Sequence, residues 1–268
     1  MSRIRLVLGL LAAGLFLLLL GPPRAFAQSR GWRLGRSAAP WFQRLACTAL
    51  GVEVRVHGRP APGKRLIVAN HVSWLDILTL GSIEPMTFLA KREIGAPALG
   101  GRLARLQGII FVDRRRRRCI PAVNAEMARA MAKGEPVVLF AEATTSDGTR
   151  ILPFRSSHFE AIRQAAIDRG AAVIQPVFLD YSRLVGLPVG RRDRPLFAWY
   201  GDTTFIPHFR RFLAAGPTRC DVHYGEPIPV STEVGRKVLA RWTELQVRAL
   251  SGAARRANRP ILAGAGSS

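Results

Sequence analysis

Short apolar runs separated by helix-length stretches constrain this chain more than any other feature. Residues 65–69, 109–112, 137–141 and 173–179 are largely aliphatic and too short for ordinary helices. Residues 52–56 alternate apolar and charged side chains as a strand does, and 86–90 and 196–200 read as further short strands. Between these runs, residues 74–80, 97–106, 121–132 and 157–168 carry helical patterns. Two longer stretches read as amphipathic helices. Trp41, Phe42, Leu45 and Leu50 face one way in 37–50, and Val234, Val238, Trp242, Leu245 and Leu250 form a stripe in 231–250. Strands that are apolar throughout need cover on both faces. The alternation therefore predicts an α/β fold: one domain over residues 51–250, with a mixed, mostly buried β-sheet flanked by helices. A chain of 268 residues, 48% hydrophobic, can bury one core of that size.

Residues 1–50 are expected to form an N-terminal membrane-associated segment, a hydrophobic anchor followed by an interfacial helix. Arg3 and Arg5 precede an apolar run over 6–20 that Gly21-Pro22-Pro23 closes. A helix over 4–20 reaches about 25 Å, slightly short of a hydrocarbon core of roughly 30 Å. Two readings stand. Ala25-Phe26-Ala27 has the form of a signal-peptidase site. Arg24, Arg30, Arg33 and Arg36 instead favour a retained transmembrane or re-entrant helix whose following flank stays cytoplasmic. The retained reading predicts a protein of the cytoplasmic (inner) membrane with its site facing the cytoplasm. At the other end, residues 251–268 are small, basic and rich in Gly and Ala, and are expected to be a mobile basic tail.

Forty Lys and Arg against eighteen acidic residues give a formal charge of +22, which predicts attraction to polyanions. An anionic membrane surface or an acidic carrier fits; a nucleic acid is not expected, because the basic run 114–118 lacks the aromatic pattern of RNA-binding modules. Cys47, Cys119 and Cys220 are too few and too widely spaced for a disulfide framework or a zinc site, so no metal is expected.

The strongest local signal is Asn70-His71-Val72-Ser73-Trp74-Leu75-Asp76, which follows a predicted strand and opens a predicted helix. A histidine oriented by a carboxylate is a common general base, because imidazole titrates near working pH. His71 and Asp76 are the candidates. Residues five apart on one helix point about 140° from each other. The pair therefore requires His71 in the turn before the helix and Asp76 in its first turn. Ser73-x-x-Asp76 also has the form of a capping box, in which Asp76 would only satisfy backbone donors. Three other segments have the same strand-to-turn character: residues 108–114, which end on Arg114; 139–145, which carry Glu142, Thr144 and Thr145; and 173–177, with Pro176 inside the run.

The order and spacing of these four blocks resemble the glycerophospholipid acyltransferase family, of the lysophosphatidate acyltransferase type, over about residues 52–179. That family reads N-H-x-x-x-x-D, then G-x-x-F-x-x-R, then F-P-E-G-T-R, then an apolar strand of V-x-P-V-like character. The resemblance implies an O-acyltransferase of lipid biosynthesis, with His71 as base and Asp76 as its orienting partner. It places Arg114, Glu142, Thr144 and Thr145 against the acceptor. It implies direct transfer from acyl carrier protein or coenzyme A thioester to a lysolipid hydroxyl, without a cofactor, and makes Ser73 a helix cap rather than a nucleophile.

The third block departs from the pattern, with Ala141 for Pro, Ala143 for Gly and Thr145 for Arg. Ala143 puts a methyl group where a tight or left-handed turn is expected, and Thr145 removes a phosphate ligand. The stretch 142–148, followed by Leu152-Pro153-Phe154-Arg155, is more similar to the lyso-ornithine lipid O-acyltransferase branch, whose acceptor head carries no phosphate. In that branch Arg150 or Arg155 could meet a carboxylate. The alternatives are a 1-acyl-glycerol-3-phosphate acyltransferase making the phospholipid precursor phosphatidate, and a basic membrane- or nucleic-acid-binding protein without catalysis. A Ser-His-Asp hydrolase is disfavoured, since no G-x-S-x-G elbow occurs.

Overall fold

The computed structural model describes Val7 and residues 34–91, 109–112, 117–169 and 171–258. The chain runs α1 (Leu34–Leu50), β1 (Val52–His57), β2 (Arg65–Ala69), α2 (Leu75–Gly81), β3 (Thr87–Lys91) and β4 (Ile109–Val112). It continues with α3 (Ile120–Ala132), β5 (Val137–Phe140), α4 (Glu160–Arg169), β6 (Val173–Leu184), β7 (Leu187–Pro188) and α5 (Phe205–Ala215). The strands β8 (Thr218–Tyr224) and β9 (Ile228–Pro229) and the helix α6 (Arg236–Ala257) complete it.

The strands form one mixed sheet in the order β1-β8-β6-β2-β5-β3-β4, with β7 and β9 paired to β6. The stretch β6-β2-β5-β3-β4 is parallel throughout; only the β6–β8 pairing along the main path is antiparallel. Alternation along the strands sorts the core into two layers. Ile67 and Ala69 of β2, with Val177, Leu179 and Tyr181 of β6, pack beneath α1, α2 and α5. Leu66 and Val68, with Val137, Leu139 and Ile174, pack beneath α3, α4 and α6. Cover on both faces is why these strands read as unbroken apolar runs.

Several expectations need correction. Residues 196–200 form no strand. A 3-10 turn over Arg194–Leu196 leads into a loop, in which Phe197 stacks on Tyr181 at 5.5 Å and the Trp199 amide bonds Val72 O at 2.9 Å. Among the described positions of α1 the buried ones are Ala39, Pro40, Gln43, Cys47 and Ala49, whereas Trp41 is 64% exposed and Phe42, Leu45 and Leu50 are half-buried. In α6 the buried face is Leu239, Ala240, Thr243, Glu244, Val247, Ser251 and Ala254; of the expected stripe, Val238, Trp242 and Leu245 are exposed, while Val234 and Leu250 pack half-buried against the core. The tail expected to be mobile from Ser251 is helical to Ala257, with Ser251 and Ala254 buried; its remainder, 259–268, lies outside the described residues. So do the apolar run 6–20 (Val7 apart), the signal-like segment and the expected helix 97–106. Among the described residues no helix is long and apolar enough to cross a membrane.

Candidate active site

Parallel pairing brings the two strongest motifs together. β2 and β5 are adjacent and in register, with Ala69 opposite Phe140. His71 and Glu142 each lie two residues beyond that pair, in the turns leaving the carboxyl ends of the two strands. Those ends are where open parallel sheets bind ligands, since the turns there are free of the strand ladder. On the other side of β2, Ala69 pairs with Val177 of β6. Beyond that pair the Asn70 side chain takes over the ladder. Its Nδ2 donates to Leu179 O at 3.1 Å, and its Oδ1 accepts from the Leu179 amide at 2.8 Å. The turn carrying His71 is thereby fixed to the longest strand of the sheet.

His71 sits before α2 and Asp76 is the second residue of that helix, as the pair requires. Nδ1 of His71 lies 2.8 Å from Oδ2 of Asp76. The same oxygen accepts from the amides of Val72 at 2.7 Å and Ser73 at 2.9 Å, while Oδ1 accepts from the Tyr181 hydroxyl at 2.6 Å. Asp76 is fully buried, so four donors replace the water it has lost. With three other donors already on the carboxylate, its role toward His71 is that of acceptor. The proton is then on Nδ1, leaving Nε2 as the ring atom with a lone pair. The imidazole stacks on Phe140 at 4.0 Å and 12°, which fixes the ring plane.

Asp76 is thus both cap and orienter, since one carboxylate oxygen serves the backbone of the turn and His71 alike. Ser73 departs from the expected capping role. Its hydroxyl is buried without a hydrogen-bond partner, and Trp74 occupies the N-cap position.

The loop after β5 closes over the same turn. Ser146 donates its amide to His71 O at 2.8 Å and its hydroxyl to the same oxygen at 3.2 Å. Ser146 Oγ in turn accepts from the Gly148 amide at 3.3 Å. Two arginines converge on Gly148 O: Arg194 Nη1 at 2.5 Å and Arg255 Nη2 at 3.0 Å, with Arg255 Nη1 on Thr149 O at 2.7 Å. Arg255 belongs to α6, so the last turns of the chain's final helix brace the loop that holds His71.

Glu142 is buried beside the dyad, with neither carboxylate oxygen in hydrogen-bonding geometry with a partner. Burial pushes its carboxyl up to about 8, and the Asp76 charge acts in the same direction; the amides of His71 and Leu152, nearby but outside hydrogen-bonding geometry, oppose them only in part. A carboxyl kept neutral in this way can donate a hydrogen bond. Thr144 is exposed and Thr145 half-buried in the same loop. Ala143, at the glycine position of the family pattern, has φ +59°, so the backbone does turn left-handed there. Arg114 lies outside the described residues. Reading the sequence missed Tyr181, Ser146, Arg194 and Arg255. Only Tyr181 had a usable signal, because continuing the alternation of Val177 and Leu179 by one more step reaches it.

The other histidines lie away from the dyad's hydrogen bonds, and His223 stacks on His57. His57 pairs with Asp221, His158 with Asn124, and His208 accepts from Trp74 Nε1. Among the described residues no cluster of His, Cys, Asp and Glu is arranged to hold a metal ion.

Comparison with known proteins points the same way. The model of the acyltransferase family matches residues 53–180, from β1 to within β6. A lyso-ornithine lipid O-acyltransferase of Brucella abortus is 39% identical over 223 residues, which cover 82% of this chain and 83% of that one. A 1-acyl-sn-glycerol-3-phosphate acyltransferase of Neisseria gonorrhoeae is 37% identical over 166 residues, 60% of each chain. The crystal structure of the 1-acyl-sn-glycerophosphate acyltransferase PlsC from Thermotoga maritima matches with a TM-score of 0.61 over 95% of this chain and 98% of that one. At 20% identity, that likeness is one of fold.

Proposed function

The chain belongs to the acyltransferase family, and from that premise we propose that it moves a fatty acyl group from a thioester to the hydroxyl of a lysolipid, with lyso-ornithine lipid as acceptor. The observation that carries the reading is the His71–Asp76 dyad at the carboxyl ends of β2 and β5.

With Nδ1 committed to Asp76, Nε2 takes the hydroxyl proton as the acceptor oxygen attacks the thioester carbonyl. A carbon–oxygen bond forms, the carbon–sulfur bond breaks, and the proton passes from imidazolium to the departing thiolate. Asp76 holds the ring and stabilises its positive charge without itself taking the proton. Buried Glu142, and Thr144 and Thr145 on the loop, face the acceptor's head in this reading. The donor is acyl carrier protein or coenzyme A, both acidic enough to suit a chain of +22.

Two observations favour the ornithine lipid acceptor. The Brucella abortus relative, matched over most of both chains, carries that activity in its name. Thr145 also stands where the family pattern has an arginine suited to a phosphate. The Neisseria gonorrhoeae relative supports a second reading, with 1-acyl-glycerol-3-phosphate as acceptor. Offering both acceptors together with acyl-loaded carrier protein, and reading the products by mass spectrometry, decides between them. Diacyl ornithine lipid as the main product is expected; phosphatidate alone overturns the acceptor and keeps the chemistry. Thr145→Arg should shift acceptor use toward the phosphate head, and an unchanged preference contradicts the role given to that position.

A further inference from the structure

We infer that the first turns of α5, together with the β6–β7 hairpin, form a docking surface for an anionic lipid bilayer beside the His71 turn. The helix begins Phe205-Ile206-Pro207-His208-Phe209-Arg210-Arg211. Only His208 and Phe212 are buried in it. Phe205 and Ile206, 42% and 62% exposed, head the apolar flank that Phe209 and Leu213 continue half-buried, Phe209 against Trp74 and Leu213 against the core. Arg210 and Arg211 are exposed along the outer face. At the far end of the helix the hairpin tip presents Val185 and Leu187, 61% and 71% exposed. Val185 is tied there by its amide to Pro217 O at 2.7 Å. An 11-residue helix is about 16 Å long, so the exposed Phe205–Ile206 end and the hairpin tip lie near opposite ends of that length, with Arg210 and Arg211 exposed between them.

Two observations identify the occupant as a lipid surface. The first is charge. Among the described residues no carboxylate pairs with Arg210 or Arg211, whereas Arg241 and Arg248 beside the exposed stripe of α6 are both held by Glu244. Exposed apolar side chains interleaved with unpaired arginines match the composition of a helix lying in an anionic bilayer interface. The second is continuity with the site. Phe205 packs on Trp74 at 5.5 Å and on Trp199 at 5.9 Å. Trp74 is the N-cap of the helix carrying Asp76, and the Trp199 amide bonds Val72 O, next to His71. The first turn of α5 thus packs directly against the two residues that flank the His71 turn, which puts the surface beside the dyad.

The inference rests on the lysolipid reading for the acceptor's route, so the experiment reads surface contact and turnover separately. The full chain would be added to vesicles of phosphatidylcholine with or without about one-third phosphatidylglycerol, and amide exchange followed over 185–187 and 205–213. Protection of both segments on anionic vesicles is expected, weakened in Arg210→Glu/Arg211→Glu. In parallel, Ile206→Asp/Leu187→Asp should lose at least tenfold in turnover of vesicle-borne lysolipid. Both positions are exposed, so the same variant should keep parental turnover on a short-chain, water-soluble lysolipid. Unchanged exchange in both segments, or equal turnover of parent and variant on vesicles, overturns the surface while leaving the acyltransferase reading intact. Protection produced by an acidic carrier protein and not by vesicles also overturns it, in favour of a protein partner. Vesicle protection without turnover of any lysolipid fails the functional reading alone.

Discussion

Tyr181 donates its hydroxyl to Asp76 Oδ1 at 2.6 Å, on the opposite side of the carboxylate from His71. The phenol is buried, and burial together with the Asp76 charge raises it well above the ordinary tyrosine range, so it remains a donor at any working pH. Tyr181→Phe removes one of four donors from a buried carboxylate without changing the packing on Phe197. The expected result is a fall in kcat of about tenfold with KM little changed, since hydrogen bonds to charged groups contribute roughly 1.5–3 kcal/mol. Steady-state kinetics check it, and a rise in KM alone would mean that Tyr181 acts on substrate instead of through Asp76.

Ala143 keeps φ +59° at an exposed position. A non-glycine residue there carries about 1–2 kcal/mol of strain, and glycine loses about 0.5–1 kcal/mol more backbone entropy on folding. Ala143→Gly should therefore stabilise the protein by about 0.5–1 kcal/mol, measured by denaturant unfolding. A destabilised variant would show that the methyl group makes a contact worth more than the strain.

Glu142 gives the fold a pH dependence of predictable sign. Its folded value of about 8 lies above the ordinary carboxyl value, so the folded state binds the proton more tightly. The resulting stabilisation is complete below about pH 4.5 and is lost as pH rises toward 8. Glu142→Gln, neutral at every pH, should remove that decline, worth on the order of a few kcal/mol across the window. Thermal melts of both proteins from pH 5 to 9 test this; parallel curves would mean that Glu142 is ionised throughout.

Arg194 and Arg255 share Gly148 O, so the loop that pins His71 is held from two directions. Arg255→Ala should lower kcat/KM severalfold while leaving the dyad in place, and adding Arg194→Ala should cost less than additively predicted, because the two act on one carbonyl. Additive losses would show that they support separate structures.

Legibility in the sequence followed the size of the side chains. The central parallel strands are apolar on both faces, and 65–69 and 109–112 were placed to the residue. In α6 the eye falls on Val238, Trp242 and Leu245, yet the helix buries the opposite side, where Ala240, Thr243, Ser251 and Ala254 allow close approach. Strand β8 escaped because Asp221 and His223 interrupt its apolar pattern. They are tolerated there because Asp221 is met by His57 and Ser182. His71 and Glu142 were legible because they sit in the turns immediately after strands, and Asp76 because it falls in the first turn of the helix that follows. Tyr181 and Arg255 come from 105 and 184 residues beyond Asp76 and His71, respectively, and only the fold brings them in.

The central claim is that His71 is the base for acyl transfer. Single-turnover transfer from acyl-loaded carrier protein to lyso-ornithine lipid would be compared between the parent and His71→Ala, with circular dichroism to verify folding. A loss on the order of a thousandfold in a folded variant is predicted, within the range for a positioned general base. Turnover within a few-fold of the parent would contradict the account.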